Sequence, residues 1–314
     1  MSAMAEPVLI REVGLRDGLQ MAKTVLSTAQ KLDFARSAAA AGLREIEATS
    51  FVPAHVIPQF ADAGEVAAGV GALAGATVSA LVVNLKGAIR AFDAGLRKVN
   101  YVVSASEAHS LANARRSTDA ALEEFRLIVA ERRARGLVGQ VVLGCGIATA
   151  FGCTLQGEVP AVRVVAIAET LARDGADEIM AADTVGYGDP YRVRHMFEAL
   201  RRAVGDIPLA AHFHDTRGLG LANVAASLEA GVRRFDASLG GLGGCPFAPG
   251  ATGNIGTEDC AFMLEAMGFD TGIDIEALLA LRRRFEEWLP GERFSGGVAR
   301  VGLPKSFRRA AAPG

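Results

Sequence analysis

Short runs of apolar and β-branched residues alternate along the chain with Ala- and Leu-rich segments whose charges recur at helical spacing. The strand-like runs are residues 8–14, 45–51, 77–83, 98–104, 141–147, 178–183, 209–214 and 233–239. The helical segments lie near 28–41, 56–72, 86–95, 117–135, 160–174, 190–204, 219–231 and 256–267. Eight strands, each followed by a helix, is the number that closes a (β/α)8 barrel, and a chain of 314 residues suits one. The rival α/β arrangement, a doubly wound open sheet, usually places a Gly-rich phosphate turn after its first strand. Here the first strand runs instead into Arg16-Asp17-Gly18-Leu19-Gln20. The pattern therefore predicts an α/β protein: a TIM barrel over residues 7–270, with a short helical C-terminal extension and tail over 271–314.

Helix punctuation agrees with that division. Ser27 or Thr28 can cap the first helix and Ser117 the fourth, while Gly42, Gly136, Gly175 and Gly231 stand where left-handed C-terminal residues belong. Pro160 and Pro190 suit first-turn positions, where the missing N–H costs nothing. Residues 275–289 read as an added helix. Beyond Pro290 the Gly- and Arg-rich tail has little to bury, so its end is expected to fray.

Composition narrows the function classes. Half the residues are apolar and the formal net charge is −2, which gives no electrostatic case for a nucleic-acid partner or an acidic membrane surface. No apolar run reaches the roughly 20 residues of a membrane span. The N-terminal residues carry neither a signal-peptide nor a transit-peptide pattern, so a cytoplasmic location is expected. Cys145, Cys153, Cys245 and Cys260 form no C-x-x-C pair, which argues against structural zinc or a disulfide framework. Three of them, Cys145, Cys153 and Cys260, read as packing residues.

The chemistry gathers where strands end. In a (β/α)8 barrel the βα loops converge on one mouth, so residues closing the strands carry the site. Arg16 and Asp17 close the first strand, Glu47 and Ser50 the second, Asp183 the sixth, and His212 with His214 the seventh. Side chains at i and i+2 on a strand share a face, so the two imidazoles can share one ion. A single histidine would more often be packing; two of the chain's five histidines at this spacing shift the balance toward a metal. Asp17 with the pair makes a two-His, one-carboxylate set that leaves positions open for substrate oxygens and water. Mixed N/O ligation admits Mg²⁺, Mn²⁺, Zn²⁺ or Co²⁺, so the residues do not name the metal. Glu47 and Asp183 are candidates to hold Arg16 or a metal-bound water, with a plain salt bridge at the mouth as the competing account. A fixed guanidinium at Arg16 suits a developing oxyanion. The Gly-rich stretch 240–254 can close over a ligand, and the Cys245 thiol within it can move a proton once water is excluded. Tight barrel turns also need glycine, so the stretch alone proves little.

Taken together, these residues resemble the 3-hydroxy-3-methylglutaryl-CoA lyase family of metal-dependent lyase and Claisen-type barrels. The likeness runs from about residue 8 to 270. It is carried by Glu12-Val-Gly-Leu-Arg-Asp-Gly-Leu-Gln20, Glu47-Ala-Thr-Ser-Phe51, Asn84-Leu-Lys-Gly87, Ser104-Ala-Ser-Glu107, Ala182-Asp-Thr-Val-Gly186, His212-Phe-His-Asp-Thr216 and residues 240–254. The resemblance implies that Asp17, His212, His214 and Asn254 ligate Mg²⁺ or Mn²⁺, that Arg16 stabilises an enolate and that Cys245 acts in acid–base chemistry. Asp183 and Glu47 join the catalytic set, and Gln20, Ser50 and Arg217 are the candidates for substrate contact. The implied reaction is retro-Claisen cleavage of the acyl-CoA to acetyl-CoA and acetoacetate, by a homodimer. Four departures bear on the acyl group: Leu15 stands for Pro, Met21 for Asn, Arg217 for Tyr, and Thr149-Ala-Phe-Gly-Cys-Thr154 for Cys-Ala-Leu-Gly-Cys-Pro. None removes a ligand, and a related substrate such as citramalyl-CoA stays open.

A Claisen synthase or carboxyltransferase could use the same barrel, but such relatives commonly carry an added region where this chain has only residues 271–314. A non-catalytic acyl-CoA binder should show no metal dependence. Arg115, Arg116 and Lys86 can meet the CoA phosphates, or equally be solvated surface charge.

Overall fold

The computed structural model describes residues 5–71, 73–244 and 253–310. Among them eight parallel strands close a barrel in chain order: β1 (Leu9–Glu12), β2 (Glu45–Ser50), β3 (Thr77–Val82), β4 (Lys98–Ser104), β5 (Val142–Ala148), β6 (Glu178–Asp183), β7 (Leu209–Phe213) and β8 (Arg234–Ala237). Closure comes from the four-residue register of β1 on β8, Leu9 opposite Arg234 through Glu12 opposite Ala237. The outer ring is α1 (Thr28–Ala40), α2 (Ala63–Val70), α3 (Leu85–Asp93), α4 (Glu107–Ala114), α5 (Thr118–Ala134), α6 (Ala161–Asp174), α7 (Pro190–Val204), α8 (Gly220–Glu229) and α9 (Thr257–Ala266). Two helices follow, α10 (Ile275–Trp288) and α11 (Gly297–Val301).

Local chemistry sets the helix ends. Ser27 forms a capping box with Gln30 on α1, and Ser117 caps α5. Gly42, Gly136, Gly175 and Gly231 all take positive φ. Pro190 opens α7 behind Asp189, but Pro160 is the extended residue before α6 rather than part of its first turn. The second helix starts later than its pattern suggests, because the residues before Pro58 are driven out of the helical region and a single 3₁₀ turn over Pro58–Phe60 intervenes. The pattern also missed α4, a separate helix capped by Ser106 and ended by Arg115 at φ 55°.

The last residues, 311–314, lie outside the described residues, but the C-terminal segment up to 310 packs against the barrel. Phe285 of α10 packs against Phe34 of α1 with ring centroids 4.6 Å apart, Phe294 meets Phe285 at 5.8 Å, and Phe307 meets Phe262 at 5.3 Å. Aromatic residues spaced along the tail give it a surface to bury that its Gly and Arg content hides.

The barrel interior is ionic at its lower end. Arg11 on β1 reaches Glu45 on β2, Glu178 on β6 and Asp236 on β8, and Lys98 on β4 pairs with Glu45 and Glu178 at 2.7 and 2.8 Å. Arg234 adds a bond to Glu178 at 3.0 Å. Three cations face three carboxylates, so the layer is balanced, and removing one partner of such a pair typically costs about 3–5 kcal/mol. TIM interiors are more often filled by branched apolar side chains. Here the period-2 placement of Glu45 and Glu47, Lys98 and Asn100, and Arg234 and Asp236 is the trace that the interior charge leaves in the sequence.

Candidate active site

The site is built from the turn after β1. Past Val13 the backbone enters a π-helical turn, Gly14–Gly18, in which Asp17 and Gly18 both donate to the Val13 carbonyl at 2.8 and 3.2 Å. Such turns place side chains that a regular helix would rotate away. A Cβ at Gly14 would lie 2.5 Å from Glu12 Oε1, so a larger residue there would displace that carboxylate. Glu12 clasps the surroundings: it accepts from Gly14 N at 2.7 Å, Leu239 N at 3.0 Å and Thr257 Oγ1 at 2.6 Å. Burial pushes its carboxyl up to about 7 against the pull of these three donors.

Asp17 faces the end of β7. Its Oδ2 lies 4.0 Å from His212 Nε2 and 3.6 Å from His214 Nε2, and one ligand atom from each of the three residues falls within 4.8 Å of the others. Burial pushes the Asp17 carboxyl up, but Arg16 and the two imidazoles outweigh it and hold it well below the usual carboxylate range. Asn254 arrives from past β8 because residues 253–255 pair antiparallel with the end of β7: Asp215 N donates to Gly253 O at 3.0 Å and Ile255 N to Phe213 O at 3.2 Å. Asn254 Nδ2 donates to Asp17 Oδ2 at 2.8 Å and to Leu242 O at 3.0 Å.

The four residues fit a divalent ion. Asn254 Oδ1 is buried without a hydrogen-bond partner among the described residues, and a buried lone pair without a donor is what a cation relieves. Arg16 offsets only one of the two carboxylates beside it, Asp17 and Glu47. His212 is held from behind by Asp236, whose Oδ2 lies 3.1 Å from Nδ1. Burial pushes the His212 imidazole down, while the Asp236 bond and the charges of Asp17 and Asp236 more than compensate and raise it.

Arg16 is fixed in its plane. Nε bonds Glu47 Oε2, Nη1 bonds Asp17 Oδ1, and Asn100 Nδ2 holds the other Glu47 oxygen at 2.7 Å. Asp183 lies at the end of β6, near enough to the imidazoles to feel their charge, with its oxygens accepting from Tyr187 N at 2.8 Å and Gly188 N at 2.9 Å. It therefore ties down the β6–α7 loop beside the site. Ser50 is buried and donates to Leu81 O at 3.2 Å, and Gln20 is half-buried on the 3₁₀ turn Leu19–Met21. Arg217 is exposed and folds back on the loop after β6: it donates to Val185 O at 3.1 Å and Gly186 O at 2.9 Å and stacks 4.6 Å from the Tyr187 ring. These contacts turn it to loop carbonyls rather than to an acid. Cys245 lies outside the described residues. Cys145, Cys153 and Cys260 are buried free thiols, and burial pushes Cys260 up to about 12. Arg116 pairs with Glu124 at 3.2 Å, and Lys86 is exposed on α3.

The base of the Gly-rich segment is held tightly. Leu239 N reaches Glu12, Gly240 N reaches Glu258 Oε2 at 3.0 Å, and Ser295 N reaches Gly240 O at 2.7 Å. A Cβ on Gly253 would lie 2.2 Å from Gly241 O, and one on Gly243 2.5 Å from Asn254 Nδ2. Glu12, Asn100, Asp236 and Glu258 were not among the sequence candidates. Asp236 and Asn100 sit two residues from other charged strand positions, a period-2 signal; Glu12 opens the motif that runs to Gln20, while Glu258 looks in the sequence like an ordinary surface acid.

A closed parallel barrel whose mouth sets one carboxylate, two imidazoles and an amide around a common point, beside a fixed guanidinium, defines a TIM-barrel protein with a candidate metal centre. Comparison with known proteins makes this specific. Residues 8–284 match the family model described as HMGL-like, and the chain belongs to that family. It is 38% identical over 280 residues to hydroxymethylglutaryl-CoA lyase YngG of Bacillus subtilis (strain 168), covering 89% of this chain and 92% of that protein. It is 39% identical over 281 residues to the 3-hydroxy-3-isohexenylglutaryl-CoA/hydroxy-methylglutaryl-CoA lyase of Pseudomonas aeruginosa, covering 90% and 92%. Among solved structures, an HMG-CoA lyase from Acinetobacter baumannii in complex with coenzyme A and 3-methylmalate superposes with a TM-score of 0.91 at 38% identity, covering all of both chains.

Proposed function

We propose that this protein is a carbon–carbon lyase that cleaves 3-hydroxy-3-methylglutaryl-CoA to acetyl-CoA and acetoacetate, using Mg²⁺ or Mn²⁺ at Asp17, His212, His214 and Asn254. The observation that carries the reading is the convergence of the Asp17, His212 and His214 ligand atoms within 4.8 Å, beside Arg16, in a chain matching the lyases over nearly its full length.

When bound, a divalent ion would polarise the substrate hydroxyl and orient the substrate through its oxygens. Asp17, His212 and His214 would hold it from β1 and β7, and Asn254 through Oδ1. In the cleavage the tertiary hydroxyl loses its proton, the C2–C3 bond breaks, its electron pair passes to the thioester as an enolate, and protonation of that carbon completes acetyl-CoA. Arg16 supports the charge. With Nε on Glu47 and Nη1 on Asp17, its Nη2 is left for the thioester oxygen, where one preorganised donor is worth about 3–4 kcal/mol of barrier. Because Glu47 and Asn100 fix the guanidinium beforehand, no reorganisation is needed as the charge forms. Cys245 is the candidate to deliver the final proton, and Gln20, on the turn after β1, and Ser50, at the end of β2, are the candidates for substrate contact. Acetyl-CoA release from 3-hydroxy-3-methylglutaryl-CoA and from citramalyl-CoA, with and without Mn²⁺, tests the proposal. Metal-dependent release from the first supports it; release from citramalyl-CoA alone moves the substrate, and no release from either overturns it.

A further inference from the structure

We propose that Arg11, deep in the barrel, is a positioning residue for the metal centre: by holding Asp236 it sets the ring orientation and tautomer of His212. The inference rests on the ligand reading above. The first link is electrostatic and the second a hydrogen bond. Arg11 Nη1 lies 3.1 Å from Asp236 Oδ1 as an ion pair in which Oδ1 accepts no hydrogen bond among the described residues, and Asp236 Oδ2 lies 3.1 Å from His212 Nδ1. A carboxylate facing Nδ1 keeps the ring proton there, so the Nε2 lone pair looks toward Asp17, 4.0 Å away.

Arg11 also meets Glu45 through Nε at 2.5 Å and Glu178 through Nη2, but these two carboxylates have other cations. Lys98 serves both, and Arg234 serves Glu178. Among the described residues, Asp236 pairs with no cation besides Arg11 and the imidazole itself. Loss of Arg11 would therefore strip Asp236 in particular and leave it buried beside Glu178. A planar guanidinium with donors on three nitrogens can address three separate carboxylates at once, which one ammonium cannot. The ionic network at the lower end of the barrel is thus linked to the candidate metal site through the Arg11–Asp236 ion pair.

The test keeps charge balanced so that the protein folds. Arg11→Met combined with Glu45→Gln removes one charge of each sign; Glu45→Gln alone and Arg11→Lys are measured beside it. Two readouts are taken on metal-free protein. Long-range ¹H–¹⁵N spectra at pH 8, with His212 assigned from His212→Gln, should show His212 as the Nδ1–H tautomer in the parent and in Glu45→Gln, and a mixture in the double variant and in Arg11→Lys. Mn²⁺ titration followed by the signal of free ion should give a dissociation constant about 10- to 100-fold weaker in the double variant. Glu45→Gln should stay within about twofold of the parent. An unchanged tautomer and a Mn²⁺ constant within about threefold of the parent in a folded double variant overturn the proposal. Arg11→Lys decides in the same way if the double variant does not fold. A parent that binds no Mn²⁺ would sink the ligand reading, while the tautomer spectra would still judge the role of Arg11.

Discussion

Replacing Glu47 by Gln perturbs the site without touching a proposed ligand, and its size follows from the contacts. Glu47 is buried, with one oxygen on Arg16 Nε and the other on Asn100 Nδ2. An amide cannot accept at both ends, so its NH₂ must face either the guanidinium or the Asn100 amide, donor against donor. The charge-assisted bond lost in this way is worth about 1.5–3 kcal/mol, which sets the stability loss, since Arg16 keeps Asp17 as its counter-charge. The effect on turnover is separate. Arg16 would keep only its Asp17 contact and could rotate off the thioester oxygen, forfeiting a donor worth about 10²–10³ in kcat. Because that donor acts on charge present only in the transition state, kcat and kcat/KM should fall together while KM holds. Steady-state release of acetyl-CoA at saturating Mn²⁺ measures the turnover, and urea unfolding the stability. A variant with kcat within about threefold of the parent would refute the claim that Glu47 sets the Arg16 donor.

Three further outcomes follow from the same geometry. Burial raises Glu12 from 4.5 to about 7, so between those values the folded protein binds the extra proton; stability is fully present below about pH 4.5 and is lost as pH rises through 7, by about 3 kcal/mol at 1.36 kcal/mol per pH unit. Urea unfolding at pH 5 and pH 8 should show that fall in the parent and not in Glu12→Gln, and a parent flat over the range would contradict it. Gly253→Ala drives a methyl to 2.2 Å from the Gly241 carbonyl, so Asn254 should shift and Mn²⁺ affinity drop by at least about tenfold; calorimetric titration showing unchanged affinity would remove Asn254 from the ligand set. Arg217→Ala loses two part-buried carbonyl bonds and a stacking contact, which should cost about 1 kcal/mol in urea unfolding and leave Mn²⁺ binding unaltered, whereas weakened binding would bring Arg217 back to the centre.

The barrel and the placement of its polar residues were legible because both follow from local periodicity. Strand runs alternating with amphipathic segments, and His212 two residues from His214, need no tertiary information. The ends of β1 and β8 were not legible, since the π-helical turn at Gly14–Gly18 and the pairing of residues 253–255 with β7 depend on contacts between distant segments. The pairing of the interior charges was not legible for a related reason. Arg11, Lys98 and Glu178 lie far apart in the chain, and the closed barrel brings them together to neutralise one another. The partners of Arg217 were likewise hidden: a candidate for substrate contact by its position after the His-x-His strand, it donates to the carbonyls of Val185 and Gly186.

The most direct test of the whole account is calorimetric titration of the metal-free protein with Mn²⁺ beside the His214→Ala variant. The account predicts one ion per chain in the parent and at least about a hundredfold weaker binding in the variant. A parent that takes up no ion, or a variant that binds it equally well, would contradict a metal centre formed by Asp17, His212 and His214.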